Sequence, residues 1–108
     1  MARKQFLQAI KEYKQAVQKR FPLDGFFIFG SFATGQQKKD SDVDVLVVSS
    51  SFKPLSGMER LTELSLLRSG AARKVPMDII GVTPKELAFL KKEQNPFWKQ
   101  ILKTMRQA

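Results

Sequence analysis

The sequence predicts a small α/β domain of the α+β kind, with one mixed β-sheet of three to four strands flanked by helices. Three observations predict it. Apolar residues recur at helical spacing near both ends of the chain, and short runs rich in β-branched and aromatic residues lie between them. A length of 108 residues, 43% of them hydrophobic, allows one core and therefore a single domain spanning 1–108.

From Lys4 to Arg20 the residues Phe6, Leu7, Ile10, Tyr13, Ala16 and Val17 fall on one stripe, which predicts an amphipathic helix stopped by Pro22. Phe26–Phe29 reads as a short buried strand, and Val43–Val48 as a second. After the loop Ser49-Ser50-Ser51, a helix is predicted from Leu55 to Arg68, then a turn through Gly70. Val75–Ile80 reads as a third strand, with Pro76 marking an edge or a strand beginning. Thr83-Pro84-Lys85-Glu86 combines an N-cap threonine, a proline at the first helical position and a capping-box glutamate. That helix runs to Glu93. Asn95-Pro96 breaks it, and Phe97–Met105 forms the last one.

The net charge of +9 sits at the two ends: residues 1–20 carry +5, residues 85–108 carry +4, and the middle is balanced. Two readings stand for these basic helices. They attract a nucleotide, a nucleic acid or an acidic partner, or they are solvated lysine faces. Arg60, Arg68, Arg73 and Lys74 read as surface charges, and Phe97 and Trp98 as packing residues. The chain has no cysteine and no histidine, so disulfides, thiolate sites, the usual zinc ligand and the usual general base are excluded. Metal chemistry must use oxygen ligands, which favours Mg2+ or Mn2+. No apolar stretch approaches the ~20 residues of a membrane helix, and the N-terminus does not resemble a secretory signal, which together predict a cytoplasmic protein with no membrane partner.

The chemistry concentrates between Phe29 and Val48. Residues two apart in a strand share a face, so Asp42 and Asp44 project together while Val43, Val45 and Val47 face the other way. Both carboxylates then lie at the rim of the sheet, wet enough for hydrated metal. Asp78 sits in another strand, and if that strand is adjacent, three carboxylates cluster and can hold two ions about 3.5 to 4 Å apart. Gly30 and Ser31 follow the first strand directly; glycine admits close backbone approach, and free amides plus a hydroxyl suit a triphosphate. Ala33 keeps the turn slim and Gly35 ends it in a left-handed conformation.

The pattern Gly-Ser-x-Ala-x-Gly, five residues, then Ser-Asp-x-Asp, from Gly30 to Asp44 without a gap, resembles the signature of the DNA polymerase β-type nucleotidyltransferase superfamily. Within it the chain is most similar to the minimal nucleotidyltransferase (MNT) branch of very short chains. The segment around Asp78, Val-Pro-Met-Asp-Ile-Ile-Gly-Val, resembles the family's third strand. The resemblance implies the nucleotidyltransferase fold, with Gly30, Ser31 and Gly35 binding nucleotide, Asp42 and Asp44 binding metal, and Asp78 completing the catalytic triad. Lys38 and Lys39 assist electrostatically, whereas Asp40 reads as a loop residue.

Competing motifs fail on context. Val45 stands where a calcium loop begun at Asp40 needs glycine, Ser51 where it needs glutamate, and a Walker lysine motif is missing. The chain departs from the family where many members carry arginine, at Phe32 and Thr34. About 28 residues follow Ile80, too few for the helical domain that larger members close over the base, so a partner is expected to complete the site. In the MNT branch that partner is commonly a helical HEPN protein, and the resemblance implies AMP transfer from ATP to its hydroxyl by an antitoxin-type subunit. The alternative is a non-catalytic module that holds a protein or nucleic acid through its basic helices. Self-association through those helices is a further expectation.

Overall fold

The computed structural model describes residues 2–108. Helix α1 (Arg3–Arg20) precedes strand β1 (Gly25–Phe29), the single-turn helix α2 (Ser31–Thr34) and strand β2 (Val43–Val48). A 3-10 turn at Ser50–Phe52, helix α3 (Gly57–Leu66) and a second 3-10 segment at Gly70–Lys74 lead to strand β3 (Met77–Val82). Helices α4 (Pro84–Lys92) and α5 (Pro96–Thr104) and the two-residue strand β4 (Arg106–Gln107) complete the chain.

The four strands form one mixed sheet in the order β3-β2-β1-β4. β1 pairs antiparallel with β2 and with β4, and β2 pairs parallel with β3. A parallel pair needs a crossover, which here is supplied by the segment containing α3. β2 is central and covered on both faces, which is why its sequence is almost continuously apolar. Val43, Val45 and Val47 join Phe26 and Ile79 against Phe6, Ile10, Tyr13 and Val17 of α1. Leu46 and Val48 pack on the opposite side with Phe29, Val82, Leu87 of α4 and Ile101 of α5. Each large apolar side chain so buried contributes about 1.5 to 3 kcal/mol. Asp44 interrupts the second face at the end of the strand, where the helices no longer cover it completely.

Three local expectations shift. The third strand begins at Met77 rather than Val75, because Pro76 offers no amide, though its carbonyl accepts from the Val43 amide at 2.9 Å. The helix predicted from Leu55 starts at Gly57, set by a capping box in which Ser56 and Glu59 exchange side-chain and backbone hydrogen bonds. It ends at Leu66, two residues before Arg68.

Arg60 is not a surface charge but only 8% exposed, donating to three backbone carbonyls and to Glu86. Arg68 is half-buried and donates to the carbonyls of Ala72 and Val75. Both cations tie the α3 crossover to its neighbours. Tyr13, fully buried in α1, donates its hydroxyl to the Leu64 carbonyl at 2.8 Å, and burial drives its pKa well above the usual phenol range.

Candidate active site

Strand register assembles the site. Phe29, the last residue of β1, is paired with Asp44 on β2, and Asp44 is paired with Asp78 on β3. Because β1 runs against the other two, its C-terminal end and the N-terminal ends of β2 and β3 lie along one edge of the sheet. Gly30, Asp44 and Asp78 therefore stand in a row, with paired residues on neighbouring strands roughly 4.8 Å apart. Asp42 lies just before β2, exposed, as is Asp78; Asp44 is half-buried between them.

The electrostatics follow from that row. The Asp44 carboxyl is pushed up to about 6, first by desolvation, then by the negative charges of Asp78 and Asp42. Among the described residues the ion pairs are Arg20–Glu63 and Arg60–Glu86, and neither involves these aspartates. Among the described residues no three acidic side chains are gathered closely enough to hold a metal ion together. The arrangement is an open cluster: near enough for mutual repulsion, and made wholly of the hard oxygen donors that suit a magnesium- or manganese-sized cation. A positive charge placed among them would offset the repulsion that adds to desolvation in raising the Asp44 pKa, so the donor set fits such an ion in chemistry, as oxygen ligands of negative charge.

Gly30 is bound to this cluster by sterics. Its backbone lies at φ 71°, ψ −148°, a region essentially restricted to glycine, and a Cβ there would collide with the Asp44 carboxylate oxygen Oδ2. Its carbonyl accepts from the amides of Ala33 and Thr34 at 3.1 and 3.3 Å, which builds α2 and leaves the Ser31 and Phe32 amides outside those bonds. Gly35 closes the turn in the left-handed conformation, φ 75°, as its position in the motif predicts. We expect Gly30→Ala to lower stability by about 1 to 3 kcal/mol and to displace Asp44, abolishing transfer. Gly35→Ala meets open space and costs only the left-handed strain, about 1 kcal/mol, so thermal melts of the two variants separate strain from collision.

The loop between the Gly30–Gly35 turn, the cradle of the site, and the aspartates is held by Ser41, whose hydroxyl accepts from the Lys38 amide at 2.8 Å while its own amide donates to the Lys38 carbonyl at 3.0 Å. That clamp delivers Asp42 to the start of β2 and leaves the Lys38 and Lys39 side chains exposed. Phe32, at the position where the family often has arginine, stacks on Phe6 of α1 with ring centroids 4.8 Å apart. It anchors the cradle and brings no cation. Ser41 is part of the motif, but its clamp is not visible in the sequence. Nor is the role of Thr104, whose Oγ1 accepts from the Gly30 amide at 3.0 Å across 74 residues, a pairing with no local signal.

A sequence model of the family described as "Nucleotidyltransferase domain" matches residues 10–105, which include every residue of this row. The chain belongs to that family. This nucleotidyltransferase domain is similar to the crystal structure of a candidate nucleotidyltransferase from Sulfolobus solfataricus, at 27% identity over 80% of this chain and 77% of that one, with a TM-score of 0.58. It is similar in fold to a chain of a toxin–antitoxin structure containing AMP-PNP, at 20% identity over 91% of this chain and 70% of that one, with a TM-score of 0.62. Among curated proteins there is no significant match. The nucleotidyltransferase domain has no helix among the described residues long and apolar enough to cross a membrane. Its family and its fold agree with the minimal nucleotidyltransferase signature at Gly30–Asp44.

Proposed function

We propose that this domain, a single unit over 1–108, transfers AMP from ATP to a protein hydroxyl in the presence of Mg2+ or Mn2+, as the antitoxin-type subunit of a pair with a helical HEPN-type partner. The observation that carries the reading is the Gly30–Asp44–Asp78 row with Asp42 beside it. The solved toxin–antitoxin neighbour, with its ATP analogue, supports the choice of nucleotide and partner. Asp42, Asp44 and Asp78 would hold the divalent ions, which when bound would supply neutralisation of phosphate charge and a lower pKa for the attacking hydroxyl.

The chain's own residues set the direction of the reaction. Gly30 and Ser31 lie at one end of the row and Asp78 at the other, so the β- and γ-phosphates occupy the cradle side while the acceptor approaches over β3. The acceptor oxygen forms a bond to the α-phosphorus, the bond to the bridging oxygen breaks, and pyrophosphate leaves toward Ser31. The hydroxyl proton passes to an exposed carboxylate or to water.

A second reading, a binding module, is favoured by one observation. A groove of about 450 Å³ lies away from the aspartates, lined by Phe6, Leu7, Ile10, Lys11 and Lys14 of α1 together with Ile28. Leu7 is 49% exposed there.

Incubation with α-labelled ATP and Mg2+ tests the proposal. Slow or no transfer by the isolated chain, and label on the partner chain when the two are mixed, is the expected result. Efficient labelling of small molecules by the isolated chain overturns the partner-directed reading. No label under any pairing, with a complex that survives Asp42→Asn, favours the binding module.

A further inference from the structure

We infer that Thr104, at the last turn of α5, is a positioning residue for the Gly30 cradle, an inference that rests on reading the cradle as the nucleotide site. Thr104 Oγ1 accepts from the Gly30 amide at 3.0 Å, and its own proton is directed to the Gln100 carbonyl at 3.0 Å. The donated proton fixes the hydroxyl so that a lone pair faces Gly30. On the other side, the Gly30 carbonyl is taken by the amides of Ala33 and Thr34. The glycine is thus held from both sides in a conformation with positive φ, against the Asp44 carboxylate.

The consequence reaches the ligand. A Gly30 amide released from Thr104 is a free donor beside the Asp44 carboxylate and competes for the oxygens that the carboxylate must offer to a metal ion. Thr104 removes it from that competition and leaves the Ser31 hydroxyl and the neighbouring amides to the phosphates. The same helix buries Ile101 in the cluster that contains Phe29 and Leu46, so α5 fixes both the end of β1 and the residue after it. Cradle geometry is therefore set by the C-terminal helix, far from the motif in sequence.

Thr104→Val keeps the side-chain volume and removes the acceptor, and Thr104→Ser restores it. Two readouts are needed: the Gly30 amide resonance with its hydrogen-exchange rate in nucleotide-free protein, and ATP affinity by calorimetry with Mg2+ present. In Thr104→Val the Gly30 amide is expected to shift and exchange faster, and ATP affinity to fall roughly three- to tenfold, as for the loss of one hydrogen bond; Thr104→Ser returns both toward wild type. Should the valine variant fail to fold, Thr104→Ala is read in the same way. Wild-type protein that binds no ATP overturns the nucleotide-site reading and this role with it. Wild-type binding with unchanged affinity in Thr104→Val, or a loss that serine does not rescue, overturns the role of Thr104 alone.

Discussion

Asp44→Asn is expected to abolish nucleotidyl transfer while leaving the metal-free protein folded and somewhat more stable at pH 7. The activity loss follows from position. Asp44 stands in the middle of the row, paired through the sheet with both the cradle strand and Asp78, so under the proposed reaction its charge is the one shared by phosphate and acceptor sides. Removing a ligand charge worth several kcal/mol, at about 1.4 kcal/mol per tenfold, lowers the rate by roughly a thousandfold or more. The stability gain follows from the pKa. An acid whose folded pKa is raised, here from 3.8 to about 6, binds its proton more tightly folded than unfolded. Its ionisation therefore destabilises the fold, by an amount that is complete above pH 6 and vanishes below about pH 4. Asparagine has no such penalty, so the melting temperature of the variant exceeds that of wild type at pH 7, and the gap closes as pH falls through that window. Asp44 is partly open to solvent, which keeps the gap modest. Added Mg2+ should raise the wild-type melting temperature and not that of the variant. Full metal-dependent activity in Asp44→Asn would remove the basis for the site.

The motif was legible because its parts are local. Gly30, Ser31, Gly35, Asp42 and Asp44 lie within fifteen residues, and strand alternation alone puts Asp44 opposite to Val43 and Val45. Asp78 was reached through the resemblance of its strand, and register then placed it beside Asp44. What escaped was long-range. A two-residue strand of Arg106 and Gln107 has no β-propensity signal, and it forms because the Phe27–Ile28 edge is there to pair with. Phe32 reads as a missing cation until Phe6 is seen stacked on it. The Ser56–Glu59 capping box differs: its signal is in the sequence, a serine three residues before a glutamate, and it sets the helix start at Gly57 rather than Leu55. Charge in a sequence does not declare burial, and Arg60 is the case where this matters most.

Arg60→Ala is expected to be the most destabilising single substitution considered, at about 2 to 4 kcal/mol, because three carbonyls each lose a donor worth about 1 kcal/mol while the pairing with Glu86, whose side chain is 44% exposed, adds little. The guanidinium Nε donates to the carbonyls of Phe52 and Leu55 at 3.1 and 3.0 Å, and Nη1 donates to that of Gly81 at 3.2 Å. Nη1 and Nη2 together grip both oxygens of Glu86, at 2.5 and 3.0 Å. One planar group thereby joins the 3-10 turn after β2, helix α3, strand β3 and the start of α4. Alanine leaves those carbonyls without their donor and Glu86 without its counter-ion, while Glu86 still accepts from the Thr83 amide. Lysine is a poor substitute, since a single ammonium cannot present the fork geometry to acceptors on Phe52, Leu55, Gly81 and Glu86 together. The pH dependence gives an independent check. Glu86 is held below the usual carboxylate range, chiefly by its hydrogen bonds from Arg60, so it contributes stability at neutral pH that is lost as pH falls through its folded pKa. Arg60→Ala should lack that acid-sensitive component. Its urea midpoint should therefore fall sharply at pH 7 and less below pH 4. Because Arg60 touches β3 at Gly81, three residues beyond Asp78, transfer per folded molecule should survive at low temperature, which separates a scaffold defect from a catalytic one. A midpoint at pH 7 equal to that of wild type would show that these hydrogen bonds contribute no net stability.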